Sequence, residues 1–464
     1  MQAVLNENKI NYILYHLSLI IDMKHLTDNA DLRFCEKKAD NKNTEPGIYF
    51  ILSEKDIDLS KIKLIDDIPV LFPLSDSNEI YHFENGNLIF NHDILKSAFY
   101  LLSGYQEYNS KYKDELGRFP HKESIQYMLN ITSVPVVNYY FRWIINGIEE
   151  FCDLHNIKLD SEKNTEPFTF FLTHDIDRLK FYTFNNLLQR IKDIFGLTQN
   201  RQSTRASIKQ FFSILFHLIR ICNKKDPWWN FDYLMNLEKK YQIKSTFFFL
   251  QKDVKHRDSY YNFSDPEIKD LIHHLVSENF DVGIHGTVRS ALNLKNMLWQ
   301  KNEMEKIIEK RIKGVRQHNL IYQNPETPII HQEDGFAYDS SLGFAEHEGF
   351  RNSYCLPFSL YNFKDDRAFD CWEIPLNVMD VTLFHYRNYD FKSAKKSILA
   401  IINEISKFNG IFTLLWHNNH FNEDLIPGIT KFYEELIQEI MDRNPAALSG
   451  EEIISKFNIN RKLN

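Results

Sequence analysis

The chain has 464 residues, 43% of them hydrophobic and 25% charged, with a formal net charge of -8. That length suggests two or three domains with a sizeable core, and charges of both signs are interspersed, so no global basic field draws the protein onto nucleic acid. The five cysteines (Cys35, Cys152, Cys222, Cys355, Cys371) are scattered without CxxC spacing, which argues against a disulfide framework or a zinc-thiolate site and favours a reducing compartment.

The opening stretch MQAVLNENKINYILYHLSLIIDMKHL is apolar in patches, but no basic leading region or small-residue cleavage site frames it. It is predicted to be a helix and not an export signal. No run reaches the roughly 18 consecutive apolar residues of a membrane span, so no transmembrane helix is expected, and the absence of an export signal leads to the expectation of a cytoplasmic chain. Up to about residue 165, helical stretches alternate with strand-like runs such as GIYFIL (47 to 52) and IPVLFPL (68 to 74). ENGNLIF (84 to 90) carries an Asn-Gly turn signal and reads as part of a hairpin. HDILKSAFYLLSGYQEYNSKY has helical spacing, and a further helix is predicted over 135 to 155, with Pro135 at its start and a stripe of Phe141, Ile144, Ile145 and Ile148. The polar run NIKLDSEKNTEP (156 to 167) reads as a linker, which divides the chain into an N-terminal α/β domain, 1–165, and a second domain, 166–464.

Beyond the linker the pattern is strand, helix, strand. FTFFLTHD leads to a long helical region, an insertion around 185–225, then STFFFL (245 to 250), a helix at PEIKDLIHHLVSENF, DVGIHG (281 to 286), a helix at LKNMLWQKNEMEKIIEK, and GVRQHNL. Short apolar strands separated by helices imply a parallel sheet, because parallel neighbours need a crossover connection. Polar residues recur at the strand ends: Asp175 and Asp177, His285, Arg316, and His417 after IFTLLW. In α/β folds that edge is where ligands bind and chemistry occurs.

Asp175 and Asp177 share a face of a regular strand, and two carboxylates that close repel unless a cation or a proton intervenes. A divalent metal bound by one, with the other free as a base, relieves the repulsion. Alternatively, one caps the next helix and the other pairs with Arg178. His285, followed by Gly286, is either a metal ligand or a hydrogen-bonded core histidine. His417, beside the desolvating Trp416, is placed for acid catalysis or for a structural role. Arg316 either orients the free carboxylate or makes an ordinary salt bridge.

In this order, THDID, STFFFL, GIHGTVRS, GVRQH and WHN resemble the polysaccharide deacetylase superfamily (NodB homology, carbohydrate esterase family 4), over residues 168 to about 455. FAYDSSLGF, LPFSLYN and EIPLNVMD look like a bacterial subgroup with an extra N-terminal α/β domain, to which DILKSAFYLLSGYQEY and GRFP are also similar. The resemblance implies a distorted (β/α) barrel of NodB type and a hydrolase that deacetylates an N- or O-acetylated sugar of a bacterial polysaccharide or its precursor. It implies Asp175 as the base that activates water, Asp177 and His285 as ligands of a divalent metal (zinc, with cobalt or nickel as alternatives), Arg316 as the residue orienting the base, and His417 as the acid. The pattern departs from the superfamily at one place: the second histidine of HSxxH is Arg289 here, and a guanidinium cannot ligate a metal. A third ligand then comes from elsewhere, with His174, His318, His331 and His347 as candidates and His318 ranked above His174. Otherwise the metal is weakly held, or the chain is a glycan-binding or assembly protein without turnover.

Residues 201–225 hold six basic residues and no acidic one around Phe211, Phe212, Leu215, Phe216 and Ile219. Such a helix either packs its apolar face on the barrel or makes peripheral contact with an anionic membrane. Trp228 and Trp229 are candidate sugar-stacking platforms, or simply packing. Asp339, in the loop YDSSLGFAEHEGF, is a candidate substrate contact, or serves a turn.

Overall fold

The computed structural model describes residues 4–35, 46–158, 167–198, 204–221, 225–254 and 257–458. Most of the expected linker lies outside these residues.

The N-terminal part opens with helix α1 (Glu7–Ser18), whose Asn6 cap accepts the Lys9 N–H. Its main sheet holds β1 (Asp31–Cys35), β2 (Gly47–Ile51), β3 (Tyr81–Glu84) and β4 (Asn87–Phe90), in the order β1-β2-β4-β3. The pair β3/β4 is the expected hairpin. Asn85 and Gly86 both take positive φ, 50° and 78°, which suits a tight turn whose twist matches that of the strands. Helix α2 (Val136–His155) runs from Pro135 to Asn156, where φ of 57° ends it.

The second sheet begins with β5 (Thr169–Ile176), followed by two helices, α3 (Phe184–Ile194) and α4 (Thr204–Leu218). Then come β6 (Thr246–Leu250), α5 (Pro266–Ser277), β7 (Asp281–Gly286), α6 (Leu294–Ile308) and β8 (Gly314–Gln317). The short strands β9 (Tyr338–Asp339), β10 (Trp372–Glu373) and β11 (Val378–Met379) precede α7 (Phe391–Ser406) and β12 (Ile411–Leu415). The order is β10-β9-β8-β7-β6-β5-β12-β11, and every pairing is parallel.

Laid flat, a path of eight strands would be about 34 Å wide at about 4.8 Å per strand. Its two end strands, however, are joined by residues 374–377 alone, and five Cα steps span at most about 18 Å. The sheet therefore curls into a distorted (β/α) barrel. Alternation along each strand divides the core accordingly: Phe170, Leu172, Phe247, Phe249, Ile284 and Val315 face the outer helices, while Phe171, Phe248 and Tyr338 fill the interior.

The N-terminal part shares a hydrophobic core with the barrel's own loops. Ile13, Phe99 and Phe141 cluster with Tyr354, Phe358 and Tyr361. Gly349 lies at this junction, with φ of 131° and room for no side chain, since a Cβ there would meet the Thr132 carbonyl oxygen at 2.1 Å. Gly349→Ala is expected to destabilise the chain by about 3 kcal/mol in chemical denaturation, because strain and a backbone clash act together.

Candidate active site

Inward-facing positions of β5 build the site from the floor upward. Phe171 lies in the interior cluster, the Thr173 hydroxyl accepts from Arg316 Nη1 at 2.7 Å, Asp175 comes next, and Asp177 follows just beyond the strand. The neighbouring strand ends bring His285 (β7), Arg316 (β8) and His417 (after β12) to the same rim, with Arg316 in register with His285.

Arg316 is fully buried, its guanidinium 4.7 Å from the Phe248 ring centroid. Nη1 donates to Asp175 Oδ1 at 3.1 Å, Nε to the Ser340 carbonyl at 2.7 Å and Nη2 to the Ser340 hydroxyl at 2.9 Å. A fork held on three sides fixes the one carboxylate that completes it. Asp175 is only 2% exposed, so this is a desolvated pair and not a surface salt bridge.

Asp177, His285 and His318 converge. Asp177 Oδ1 is 3.3 Å from His285 Nε2 and 3.5 Å from His318 Nδ1, and the two imidazole nitrogens are 3.1 Å apart. The opposite nitrogens are tied to backbone: His285 Nδ1 to the Arg316 carbonyl at 2.9 Å, and His318 Nε2 to the Arg257 carbonyl at 3.0 Å. A carbonyl only accepts, so both rings donate outward and present lone pairs inward. Asp177 Oδ1 is itself buried without a hydrogen-bond donor. Three acceptors this close repel one another unless a cation lies between them, and one oxygen with two imidazole nitrogens suits zinc or a neighbouring first-row ion. These residues fit a divalent metal, and among the described residues they are the group able to hold one. Burial pushes the Asp177 carboxyl up, but with the rings of His318, His285 and His417 protonated their charge outweighs it and holds the group well below the usual carboxylate range, so the pocket favours positive charge beside Asp177.

His318 reaches the cluster because it lies two residues past Arg316 along extended backbone (Gln317 φ -79°, ψ 133°) and so shares its inward face; the chain then turns at Asn319 and Leu320, both at positive φ (56° and 52°). Arg289 is 57% exposed and pairs with Asp253 at 3.5 Å. The other candidate ligands are engaged elsewhere. His174 faces outward between the Trp416 carbonyl (2.7 Å) and Glu238 (2.8 Å), His331 contacts Gln317 (2.7 Å), and His347 lies 2.6 Å from the Glu348 carbonyl.

His417 Nδ1 donates to Asp380 Oδ1 at 2.7 Å, and the His417 backbone N–H donates to Asp380 Oδ2, also at 2.7 Å. This leaves Nε2 turned inward, 3.9 Å from Asp177 Oδ2. Burial alone would lower the imidazole, but Asp380, then Asp177 and Asp175, raise it to about 10. Asp380 also takes His420 at 2.9 Å, and the two imidazoles outweigh burial and hold its carboxyl well below the usual range. Sequence reasoning missed Asp380 and Ser340. Asp380 ends EIPLNVMD, after a strand of two residues with no periodic signal.

The three substrate candidates are placed differently. The Trp228 ring packs edge-on against Phe181, and its carbonyl accepts from Asn418, next to His417. Trp229 packs on the outer core beside Phe231. Asp339 faces away from the rim, bonded to Ser341 and 3.2 Å from His331, beside a small pocket lined also by Tyr322 and Glu373. Burial, and then Asp339, push the Glu373 carboxyl well up.

Among solved structures, the chain is similar to one from Mycobacterium smegmatis assigned as a polysaccharide deacetylase, at 15% identity over 66% of this chain and 94% of that one, with a TM-score of 0.43. It is similar to Puue allantoinase at 13% identity, over 65% and 94% of the two chains, with a TM-score of 0.42. It is also similar to BA3943, a CE4 family pseudoenzyme from Bacillus anthracis, at 12% identity over 63% and 67%, with a TM-score of 0.32. Residues 3–153 match the model of a family of unknown function, DUF7033. No curated protein matches the chain. At such identities the activity has to be argued from the side chains themselves.

Proposed function

We propose that the chain is a metal-dependent hydrolase that removes an acetyl group from an N-acetylated or O-acetylated sugar of a bacterial polysaccharide or its precursor. The observation that carries this reading is the convergence of three lone pairs, from Asp177, His285 and His318, beside a carboxylate held by Arg316 and an imidazole held by Asp380. A divalent ion, when bound there, polarises the acyl carbonyl and makes water a better nucleophile. Asp175, fixed by Arg316, accepts the proton of the attacking water. His417 Nε2 donates a proton to the leaving nitrogen, or oxygen, as its bond to the acyl carbon breaks. Acetate and the free amine, or alcohol, are the products. Of the aromatic candidates, Trp228 is tied to the segment after His417 and is the proposed sugar contact. A glycan-binding role without turnover drew its support from Arg289, and the inward lone pair of His318 speaks against it.

Purified without chelators, the chain is expected to carry one zinc per molecule by elemental mass spectrometry, and to release acetate from N-acetylglucosamine oligomers. His318→Ala should hold the metal substoichiometrically while its circular dichroism is unchanged. A full-length chain that binds no divalent ion, and releases no acetate with added zinc or cobalt, would overturn the proposal.

A further inference from the structure

Helices α3 and α4 carry their apolar residues on the outside. On α4 and just past its end, Ile208, Phe212, Phe216 and Ile219 are exposed at spacings of four, four and three, and so form one stripe. The face turned to the protein holds Ser207, Gln210 and Ile214. On α3, Phe184 and Leu188 are exposed one turn apart, and Phe195 and Leu197, just past its end, are exposed as well. Exposure reaches 74% at Phe195, 47% at Phe212 and 72% at Ile221. An apolar stripe that a helix could have buried, but turns outward, marks a docking surface.

The charge around the stripe selects its partner. Lys192, Arg205 and Arg220 are exposed beside it. Asp193, the one acidic residue in the described parts of 184–221, is buried and engaged by Arg190, Gln189 and Thr198. The surface is thus basic and apolar on a chain of net charge -8. A symmetric contact with a second copy would set like charges against each other. An anionic bilayer satisfies both features at once, taking the aromatic and aliphatic side chains into the headgroup boundary and the cations at its surface.

We infer that the α3–α4 hairpin docks the protein on a membrane rich in anionic lipid. The hairpin stands at the rim of the site, because it follows directly on β5, which bears Asp175. Lys209 and Gln210 also hold Asp424, in the segment after His417, at 2.7 and 3.3 Å. If the proposed function holds, the substrate is a glycan carried at the membrane surface. Among the described residues no helix is long and apolar enough to cross a membrane, so the contact is peripheral.

The test is co-sedimentation of the full chain with vesicles of phosphatidylglycerol and phosphatidylcholine in equal parts, and with vesicles of phosphatidylcholine alone. The expected result is at least about tenfold stronger binding to the anionic vesicles. The double variant Phe212→Ser, Phe216→Ser should lose it, and the triple variant Lys192→Ser, Arg205→Ser, Arg220→Ser should fall to the level on neutral lipid. Acetate release from a soluble oligomer should be unchanged in both variants. Equal binding by all three proteins, or none by the parent chain, overturns the inference. So does a parent dimer that the Phe variant turns into a monomer in light scattering, which would assign the stripe to a second copy. Vesicle binding is read without turnover, so it stands or falls separately from the hydrolase reading.

Discussion

Asp175→Asn is expected to lower kcat on an acetylated oligomer by about 10³-fold, within the range of roughly 10² to 10⁴ that a positioned proton acceptor supplies. The substitution keeps the shape, and the amide oxygen can still accept from Arg316 Nη1. What is lost is the negative charge. A neutral amide cannot take a proton from water, so the loss should fall on kcat with KM little changed. Stability should fall as well, by about 3 kcal/mol, because the buried guanidinium keeps its bonds to Thr173 and Ser340 but loses its counter-charge. Rates are therefore to be compared below the variant's unfolding transition. Metal content separates the two carboxylates: it should be unchanged in Asp175→Asn and reduced in Asp177→Asn. If Asp175→Asn loses the ion together with the rate, Asp175 is a ligand, and the assigned division of labour fails.

Asp380→Asn should lower kcat by about 10²-fold and shift the alkaline limb of the pH profile downward. A general acid must carry its proton before the reaction. His417, raised to about 10 chiefly by Asp380 against the opposing effect of burial, stays protonated through neutral and mildly alkaline pH. Activity that depends on it is present below that value and lost as pH rises through it. Without the Asp380 charge, the imidazole pKa falls toward about 6.5, so the limb should move down by two or more pH units. Asn offers a single accepting oxygen where Asp380 serves both the His417 backbone N–H and Nδ1–H, so the ring also loses one anchor. A purely structural role would depress kcat at every pH without moving the limb. A limb that stays in place would end the case for His417 as the acid.

The residues of the site were largely legible, because they stand where parallel strands end. Asp175, Asp177, His285, Arg316 and His417 each close an apolar run, and alternation places Asp175 and Asp177 on the face opposite His174. His318 could be ranked but not selected. Alternation from Arg316 puts it on the inward face, but that it meets His285 and Asp177 depends on how the neighbouring strands bring those residues alongside. Asp380 was silent for a related reason: a strand of two residues has no pattern, and its carboxylate gains meaning only beside His417, 37 positions later. The N-terminal part was legible as α/β. That it shares a core with Tyr354, Phe358 and Tyr361 was not, since a linker marks a break in the chain and not a break in packing.

Residues 201–225 draw the distinction most sharply. By itself the sequence determined that Thr204–Leu218 within this segment form an amphipathic helix with basic residues, because the side-chain angle per residue follows from helical geometry alone. It likewise determined the strand-helix alternation and the chemical types gathered at the rim. Only the tertiary structure decided which side of the helix meets the protein, which histidine comes to lie beside Asp177 and His285, and which carboxylate holds His417. Each of those answers depends on the direction from which a distant part of the chain approaches, and local spacing carries no record of that direction.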